Sequence, residues 1–162
     1  MDNTIFDVIV EIPKGSKNKY EVDHETGVVR LDRVLHSAVH YPTDYGFIDH
    51  TLGSDGDPLD AMVILSQPTF PGCTVETKCV GVFLMADDKG DDEKLICVAT
   101  GDPYFKGVNS LEDLPEHLLK EIENFFATYK ILENKEVEVK GWGDKNKAMQ
   151  LLDEAKERYQ SK

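Results

Sequence analysis

Three aspartates lie close together in the segment GSDGDPLDAMVIL, directly before an unbroken apolar run. In an extended backbone, residues two apart point the same way, so Asp55 and Asp57 could face one site. Pro58 would bend the chain and return Asp60 to that site. Carboxylates at close range raise one another's pKa unless a cation lies between them. The spacing therefore indicates a site for a hard cation that prefers oxygen ligands, such as Mg²⁺, Mn²⁺ or Ca²⁺.

The same segment has other interpretations that must be weighed. DGDP also favours a plain turn, because Asp, Gly and Pro each favour turns for local reasons. An EF-hand is excluded: counted from Asp55, Asp60 falls where the loop requires Gly and Ser66 where it requires Glu. A phosphatase with an aspartyl nucleophile would carry its acidic motif after a hydrophobic strand, whereas here the apolar run follows the acids.

A second acidic cluster surrounds Gly90 and consists of Asp87, Asp88, Asp91 and Asp92. Alone, such a cluster is typical of a solvated hairpin tip. Two aspartate clusters, each beside an apolar strand, make a shared site for several metal ions the better prediction.

Single charged residues interrupt the predicted strands, and tyrosines lie near them. Tyrosine hydroxyls can donate to phosphate oxygens, although packing is their commoner role, and each charge could simply face solvent. The candidates for an anion site are Lys19, Glu21, Arg33, Tyr41, Tyr45, Lys94, Tyr129 and Lys130.

The predicted secondary structure that carries these residues consists mostly of strands in the first hundred residues and of helices after them. Apolar runs and alternation predict strands at 6–12, 19–22, 27–31, 61–65, 73–85, 94–100 and 136–140. An amphipathic helix is predicted over 115–132, with Pro115 in its first turn and the inward stripe Leu118, Leu119, Ile122, Phe125, Phe126 and Tyr129. After the break GWG, Asp144 should cap a second helix that runs to Tyr159, with the stripe Ala148, Leu151, Leu152 and Ala155.

This order predicts an α+β fold that is mainly β, with helices covering a small twisted barrel. A chain of 162 residues is the size of one domain, 1–162. No stretch approaches the roughly 20 apolar residues of a membrane span, and no secretory signal is evident, so we expect a soluble cytoplasmic protein. The three cysteines suggest buried, reduced thiols.

The net charge of -13 disfavours contact with nucleic acid or with anionic membranes. An anionic substrate would need local lysines and arginines or bound metal cations to approach this protein.

The chain resembles the family I soluble inorganic pyrophosphatases. DGDPLD matches the most distinctive motif of that family, and further matches follow in compatible order over nearly the whole chain: VIVEIP, KYEVD, LDRVL, YPTDYGFI, VGVFLMADDKGDDEKL, DLPEHLL, FFATYK and the late GW. The resemblance implies a closed five-stranded β-barrel of the oligonucleotide-binding type with two main helices. It also implies Mg²⁺-dependent hydrolysis of inorganic diphosphate to two orthophosphates by a metal-activated water, with no covalent intermediate.

The resemblance also implies residue roles. Asp57 would be the catalytic base or would orient the water, and several Mg²⁺ ions, replaceable by Mn²⁺, would bind Glu11, Asp55, Asp60, Asp87 and Asp92. The substrate would contact Lys19, Arg33, Tyr45, Tyr129 and Lys130, with Glu21, Tyr41 and Lys94 completing the polar site. The family usually has Asp-Glu where this chain has Asp87-Asp88, so the role of Asp88, whose side chain is shorter, does not follow.

Two other functions remain open at this point. One is a metal-dependent phosphohydrolase that acts on a nucleotide or a phosphoester. The other is a nonenzymatic barrel that binds nucleic acid or stores divalent cations, against which the acidic charge argues. Short bacterial members of the family are commonly homohexamers, so we expect a homo-oligomer of that kind.

Overall fold

Within residues 2–162, the part of the chain that this computed structural model describes, strands come first and the helices follow. The strands are β1 (Ile5–Ile12), β2 (Asn18–Val22), β3 (Val29–Val34), β4 (Asp44–Phe47), β5 (Asp60–Ile64), β6 (Thr74–Asp87), β7 (Gly90–Asp91), β8 (Lys94–Ala99) and β9 (Glu138–Gly143). The helices are α1 (Glu116–Thr128) and α2 (Lys145–Ser161), and short 3₁₀ turns cover Pro103–Phe105, Leu111–Asp113 and Ile131–Glu133.

Five of these strands pair into a closed ring in the order β1, β4, β5, β8, β6 and back to β1. All pairings in the ring are antiparallel except that of β5 with β8, which is parallel. β9 pairs with β6 outside the ring, and β2 and β3 form a separate two-stranded sheet that packs beside β1. The predicted mainly β architecture, with five strands in a closed arrangement and two helices, is confirmed.

The two helices bury their apolar stripes on the strands. In α1, Ile122, Phe125 and Phe126 are buried, and Tyr129 follows them at the end of the helix. The α2 stripe is buried as predicted, and the Asp144 carboxylate caps that helix by accepting from the N–H of Lys147 at 2.9 Å. The first helix is shorter than predicted, because the chain after Tyr129 turns into the 3₁₀ segment Ile131–Glu133.

Two segments differ from the prediction, and each contains a glycine: β9 extends into GWG, which was interpreted as a break, and β4 contains Gly46. β9 continues through Gly141, which has φ +115° beside an irregularity in the pairing with β6. β4 was not predicted at all. A Cβ on Gly46 would lie 1.9 Å from the carbonyl oxygen of Ile9, so glycine here permits the close approach of β4 to β1. That approach fixes the position of Tyr45, the preceding residue.

Asp44, at the start of β4, is a fully buried carboxylate that holds two loops. One oxygen accepts from the N–H of Lys14 at 2.8 Å. The other accepts from Thr69, at 3.0 Å from its N–H and 2.5 Å from its hydroxyl. Because both oxygens are used, the carboxylate ties the loop after β1 to the loop after β5.

We expect Asp44→Asn to lower the free energy of unfolding by about 1–3 kcal/mol, because the amide nitrogen cannot accept and leaves a buried donor unpaired. Urea denaturation followed by circular dichroism measures the change. Asp7→Asn, on an exposed position of β1, serves as the matched control and should change stability by less than about 0.5 kcal/mol. Equal stability of the two variants would contradict a tying role for Asp44.

Two further findings bear on the predicted class of protein. Among residues 2–162, no helix combines the length and the apolar character needed to cross a membrane. All three cysteines are free; Cys79 and Cys97 are buried as predicted, whereas Cys73 is only half-buried.

Candidate active site

A cavity of about 690 Å³ opens where the two acidic segments meet the ends of β2, β3 and α1. Every residue predicted for the site lines it except Tyr41, which is buried behind the wall, 4.6 Å from the Phe125 ring and 5.4 Å from the Tyr45 ring. The predicted residues that line the cavity are Glu11, Lys19, Glu21, Arg33, Tyr45, Asp55, Asp57, Asp60, Asp87, Asp92, Lys94, Tyr129 and Lys130.

The loop between β4 and β5 (residues 48–59, the triplet loop) is held by its own hydrogen bonds. The buried hydroxyl of Thr51 accepts from the N–H of Leu59 at 2.9 Å, which closes the loop at its base. Asp55 accepts from the N–H of Asp57 at 3.1 Å, and Gly56 between them has φ +91°. The turn interpretation of this segment is therefore correct, and the same turn places Asp55 and Asp57 in the lining of the cavity, so the predicted metal site stays a prediction.

The second acidic segment (residues 86–93, the acidic hairpin) is not a solvated tip throughout. Asp87 is 8 % exposed at its side chain and Asp92 11 %. Asp87 accepts from the N–H of Lys89 at 2.9 Å, so its orientation is fixed. The hydroxyl of Ser54 donates to the carbonyl of Asp91 at 3.3 Å and joins the triplet loop to the hairpin.

Lys94 lies between the two acidic segments. Its Nζ is 2.7 Å from Oδ2 of Asp60 and 2.8 Å from Oδ1 of Asp92, and it donates to the Tyr45 hydroxyl at 2.7 Å. Only 2 % of the Lys94 side chain is exposed. An ammonium group therefore joins two carboxylates that come from different segments of the chain.

This buried group of charges shifts the pKa of each member. Burial raises the pKa of Asp60 to about 8, although Lys94 opposes the shift. Burial acts in the same direction on Asp92, but Lys94 and the hydrogen bond with Asp60 outweigh it and lower the Asp92 pKa. Burial disfavours the charged form of Lys94, yet Asp60, Tyr45 and Asp92 together raise its pKa well above the usual value. Lys94 is consequently a permanent cation.

Two further carboxylates have raised pKa values that depend chiefly on burial. Burial raises the pKa of Glu11 to about 7, although the carboxylate accepts from the N–H of Val22 at 2.9 Å. Burial also raises the pKa of Asp55, and the nearby charges of Asp92 and Asp57 add to the shift. Each of these acids would release its proton more readily beside an added cation.

Lys19, Arg33 and Lys130 also line the cavity, each of them beside an acidic side chain. Lys19 pairs with Glu21 at 2.8 Å and with Asp32 at 3.6 Å. Arg33 contacts Asp32 through NH1. Lys130 lies 3.6 Å from Asp87, and burial lowers its pKa. These cations are placed to contact an anion that enters the cavity.

Several charged residues of the cavity were missed by sequence reasoning: Asp23, His24, Glu25, Asp32, Lys89 and Lys135. Three of them, Asp23, His24 and Glu25, lie in the turn-like segment between the predicted strands at 19–22 and 27–31, to which no site role was given. The signal that could have found them is the concentration of charge in the segments that flank the predicted site residues.

The donor set of the cavity fits hard divalent cations. The lining includes eleven acidic and six basic residues, so an anionic ligand would meet an excess of negative charge unless further cations enter with it. The acidic donors supply oxygen alone, which Mg²⁺ and Mn²⁺ prefer. Within residues 2–162, no three Asp, Glu, His or Cys side chains stand together as a ready-made metal cage. Lys94 provides the cationic contact between Asp60 and Asp92 in this arrangement.

The sequence matches a family model described as inorganic pyrophosphatase over residues 8–160. An inorganic pyrophosphatase from Halalkalibacterium halodurans is 54% identical over 155 residues, which cover 96% of this chain and 95% of that protein. One from Methanosarcina mazei is 53% identical over 152 residues, 94% of this chain and 90% of that protein.

Solved structures agree with these sequence matches. The inorganic pyrophosphatase of Helicobacter pylori superposes with a TM-score of 0.95 at 45% identity, covering 98% of this chain and 95% of that one. The enzyme of Thermus thermophilus has a TM-score of 0.94 at 42% identity, covering 98% of this chain and 93% of that one.

Proposed function

The chain belongs to the inorganic pyrophosphatase family and hydrolyses inorganic diphosphate, and from this premise we propose that Mg²⁺ is its cofactor and that the cavity is its active site. The observation that carries the proposal is the meeting of the triplet loop and the acidic hairpin in one cavity, which Lys19, Arg33 and Lys130 also line. Diphosphate is small and highly charged, which suits a polar cavity of this kind.

The residues that would hold Mg²⁺ are carboxylates from four separate segments. When bound, the cations offset the charge of diphosphate and lower the pKa of water. Mn²⁺ has similar ligand preferences and could substitute. The proposed ligands are Glu11, Asp55, Asp60, Asp87 and Asp92.

Asp57 is the proposed catalytic base. It lines the cavity, and its backbone carbonyl accepts from the N–H of Gly53 at 2.6 Å, which fixes the residue within the triplet loop. Its carboxylate would accept the proton of the attacking water. Among the described residues that line the cavity, none is Ser, Thr or Cys, and the family resemblance implies direct attack by water without a covalent intermediate.

The basic groups and the tyrosines are the proposed contacts of the phosphate oxygens. Lys19, Arg33 and Lys130 would contact these oxygens in the bound substrate and stabilise their charge through the transition state. Burial raises the pKa of Tyr45 and of Tyr129, so both hydroxyls stay protonated and can donate. Glu21 would orient Lys19, and Lys94 would orient the two acidic segments. Tyr41 packs behind Tyr45.

An assay of orthophosphate release tests the proposed function. We expect turnover of diphosphate that rises with Mg²⁺, falls to the background rate in excess EDTA and returns when Mg²⁺ is added back. The ratio kcat/KM should be far larger for diphosphate than for ATP or a phosphate monoester. Turnover that survives chelation would refute the role of the metal, and preference for an organic substrate would favour the alternative phosphohydrolase.

We also propose that the protein is a homo-oligomer, and by family resemblance a hexamer. Large apolar side chains remain exposed on the single chain, and exposed apolar surface often marks an interface. Light scattering after size exclusion should give six times the mass of one chain, and a monomeric mass would contradict the proposal. The exposed residues include Val28, Leu31, Val34, Phe70, Tyr104, Ile131 and Leu132.

A cytoplasmic location is proposed on the free cysteines, which suit a reducing compartment. Cell fractionation followed by immunoblotting tests it. Recovery of the protein in the membrane or secreted fraction would contradict it.

A further inference from the structure

Glu133 lies directly behind Arg33, one of the proposed phosphate contacts. Its Oε1 is 2.9 Å from Nε of Arg33, and the Glu133 side chain is only 6 % exposed. Arg33 lines the cavity, whereas Glu133 does not. The carboxylate is therefore placed to act on the guanidinium and not on a ligand in the cavity.

The contact between the two side chains is an ion pair without an aligned hydrogen bond. Both Nε of Arg33 and the second carboxylate oxygen of Glu133, Oε2, are buried and lack a hydrogen-bond partner within residues 2–162. A buried charge with an unused hydrogen-bonding position is costly, so the pair persists because each charge compensates the other. Loss of the Arg33 charge would leave the Glu133 carboxylate buried and unpaired, whereas loss of the Glu133 charge would leave Nε of Arg33 without a partner while NH1 keeps Asp32.

The position of Glu133 is set by the turn that follows α1. Its N–H donates to the carbonyl of Lys130 at 3.0 Å, and Asn134, in the left-handed conformation at φ +59°, ends the 3₁₀ turn. One short turn thus carries Lys130 on the cavity side and Glu133 behind Arg33. The β2–β3 sheet, which carries Arg33, is thereby linked to the end of α1.

The second partner of Arg33 differs from the first. Asp32 contacts NH1 of Arg33, lines the cavity and is 33 % exposed at its side chain. An entering phosphate oxygen can therefore replace Asp32 at the guanidinium, because Asp32 can turn to water. The Glu133 side chain is enclosed and cannot turn to water, so it stays paired with Nε of Arg33.

We propose that Glu133 is a positioning residue that holds the guanidinium of Arg33 towards the cavity while phosphate displaces Asp32. This inference rests on the proposed contact of Arg33 with phosphate. A guanidinium held in place loses little rotamer freedom when it binds, so the expected benefit is in substrate affinity.

A double-mutant cycle tests the proposal with Glu133→Gln, Arg33→Lys and the double variant, assayed at saturating Mg²⁺. Glu133→Gln should raise KM for diphosphate roughly tenfold and change kcat less than about twofold, as expected for loss of one charge-assisted contact. In the Arg33→Lys background the same substitution should raise KM less than about twofold, because lysine lacks the Nε that Glu133 holds. Glu136→Gln, an exposed acid on the same segment, is the control and should leave KM unchanged.

The outcomes separate the inference from the function on which it rests. If Arg33→Lys alone leaves KM unchanged, the proposed phosphate contact of Arg33 fails. If Arg33→Lys raises KM but Glu133→Gln does not, Arg33 keeps its role and the positioning role of Glu133 is overturned. Equal effects of Glu133→Gln in both backgrounds, with a parallel loss of stability in urea, would indicate a merely structural residue and would also overturn it.

Discussion

Asp57→Asn is expected to lower kcat for diphosphate by about 10²- to 10⁴-fold at neutral pH, the range typical for loss of a general base. The amide matches the carboxylate in size but cannot accept a proton. Asp57 takes part in the triplet loop through its backbone N–H and carbonyl, which the substitution preserves, so the loop and its metal ligands should keep their positions. Steady-state release of orthophosphate across Mg²⁺ concentrations measures the effect.

Asp49→Asn is the matched control for this prediction. Asp49 belongs to the same loop, is 62 % exposed and does not line the cavity, so kcat should change less than about twofold. The binding of Mg²⁺ to the Asp57 variant, measured by calorimetry, should stay within a few-fold of the parent protein. A kcat for Asp57→Asn close to that of the parent would rule out Asp57 as the base.

Lys94→Met is expected to lower the free energy of unfolding of the metal-free protein by about 3–5 kcal/mol. Methionine fills similar space, but it leaves Asp60 and Asp92 buried without the cation that lies within 2.8 Å of both. Urea denaturation in EDTA measures the loss. Added Mg²⁺ should restore part of the stability, because a ligand that binds only the folded state stabilises it.

The loss in Lys94→Met should also depend on pH. Burial already raises the pKa of Asp60 to about 8 against the opposing effect of Lys94, so removal of Lys94 raises it further. A carboxyl whose folded pKa exceeds its unfolded pKa holds its proton longer in the folded state, and stability then falls as pH rises. The destabilisation should therefore grow above about pH 8, where Asp60 ionises in the parent protein but keeps its proton in the variant.

Lys140→Met is the control for both measurements. Lys140 also forms an ion pair at 2.7 Å, with Asp91, but both side chains are about half exposed, and such surface pairs contribute 0–1 kcal/mol at most sites. Similar losses of stability in the two lysine variants would show that burial of Lys94 has no special effect.

Sequence patterns predicted most of the fold where periodicity was strong. The stripe of α2 and its cap at Asp144 were correct, because both depend on residues within a few positions of one another. β4 was missed because its four residues are too few to show a period. The pairing of β1 with β6, which closes the ring of strands, could not be predicted from any local pattern, because it joins residues about 70 positions apart.

The prediction of the candidate site was likewise correct in some respects and incomplete in others. The residue types and spacing of the two aspartate clusters, supported by the resemblance, predicted that acids and bases would meet at one place. They did not predict that Lys94 would join Asp60 to Asp92, that Tyr41 would lie behind the cavity wall, or that Asp32 would line it.

The order of the elements and the apolar faces that they bury could thus be predicted from local patterns, and most cavity residues from these patterns together with the resemblance. The partners of each charge, and the charges that are removed from water, could not be predicted in this way. Periodicity indicates whether a side chain faces the core, whereas a charge pair depends on the register between distant segments. Glu133 behind Arg33 shows this most clearly, since nothing near either residue in the chain indicates that 2.9 Å separates them.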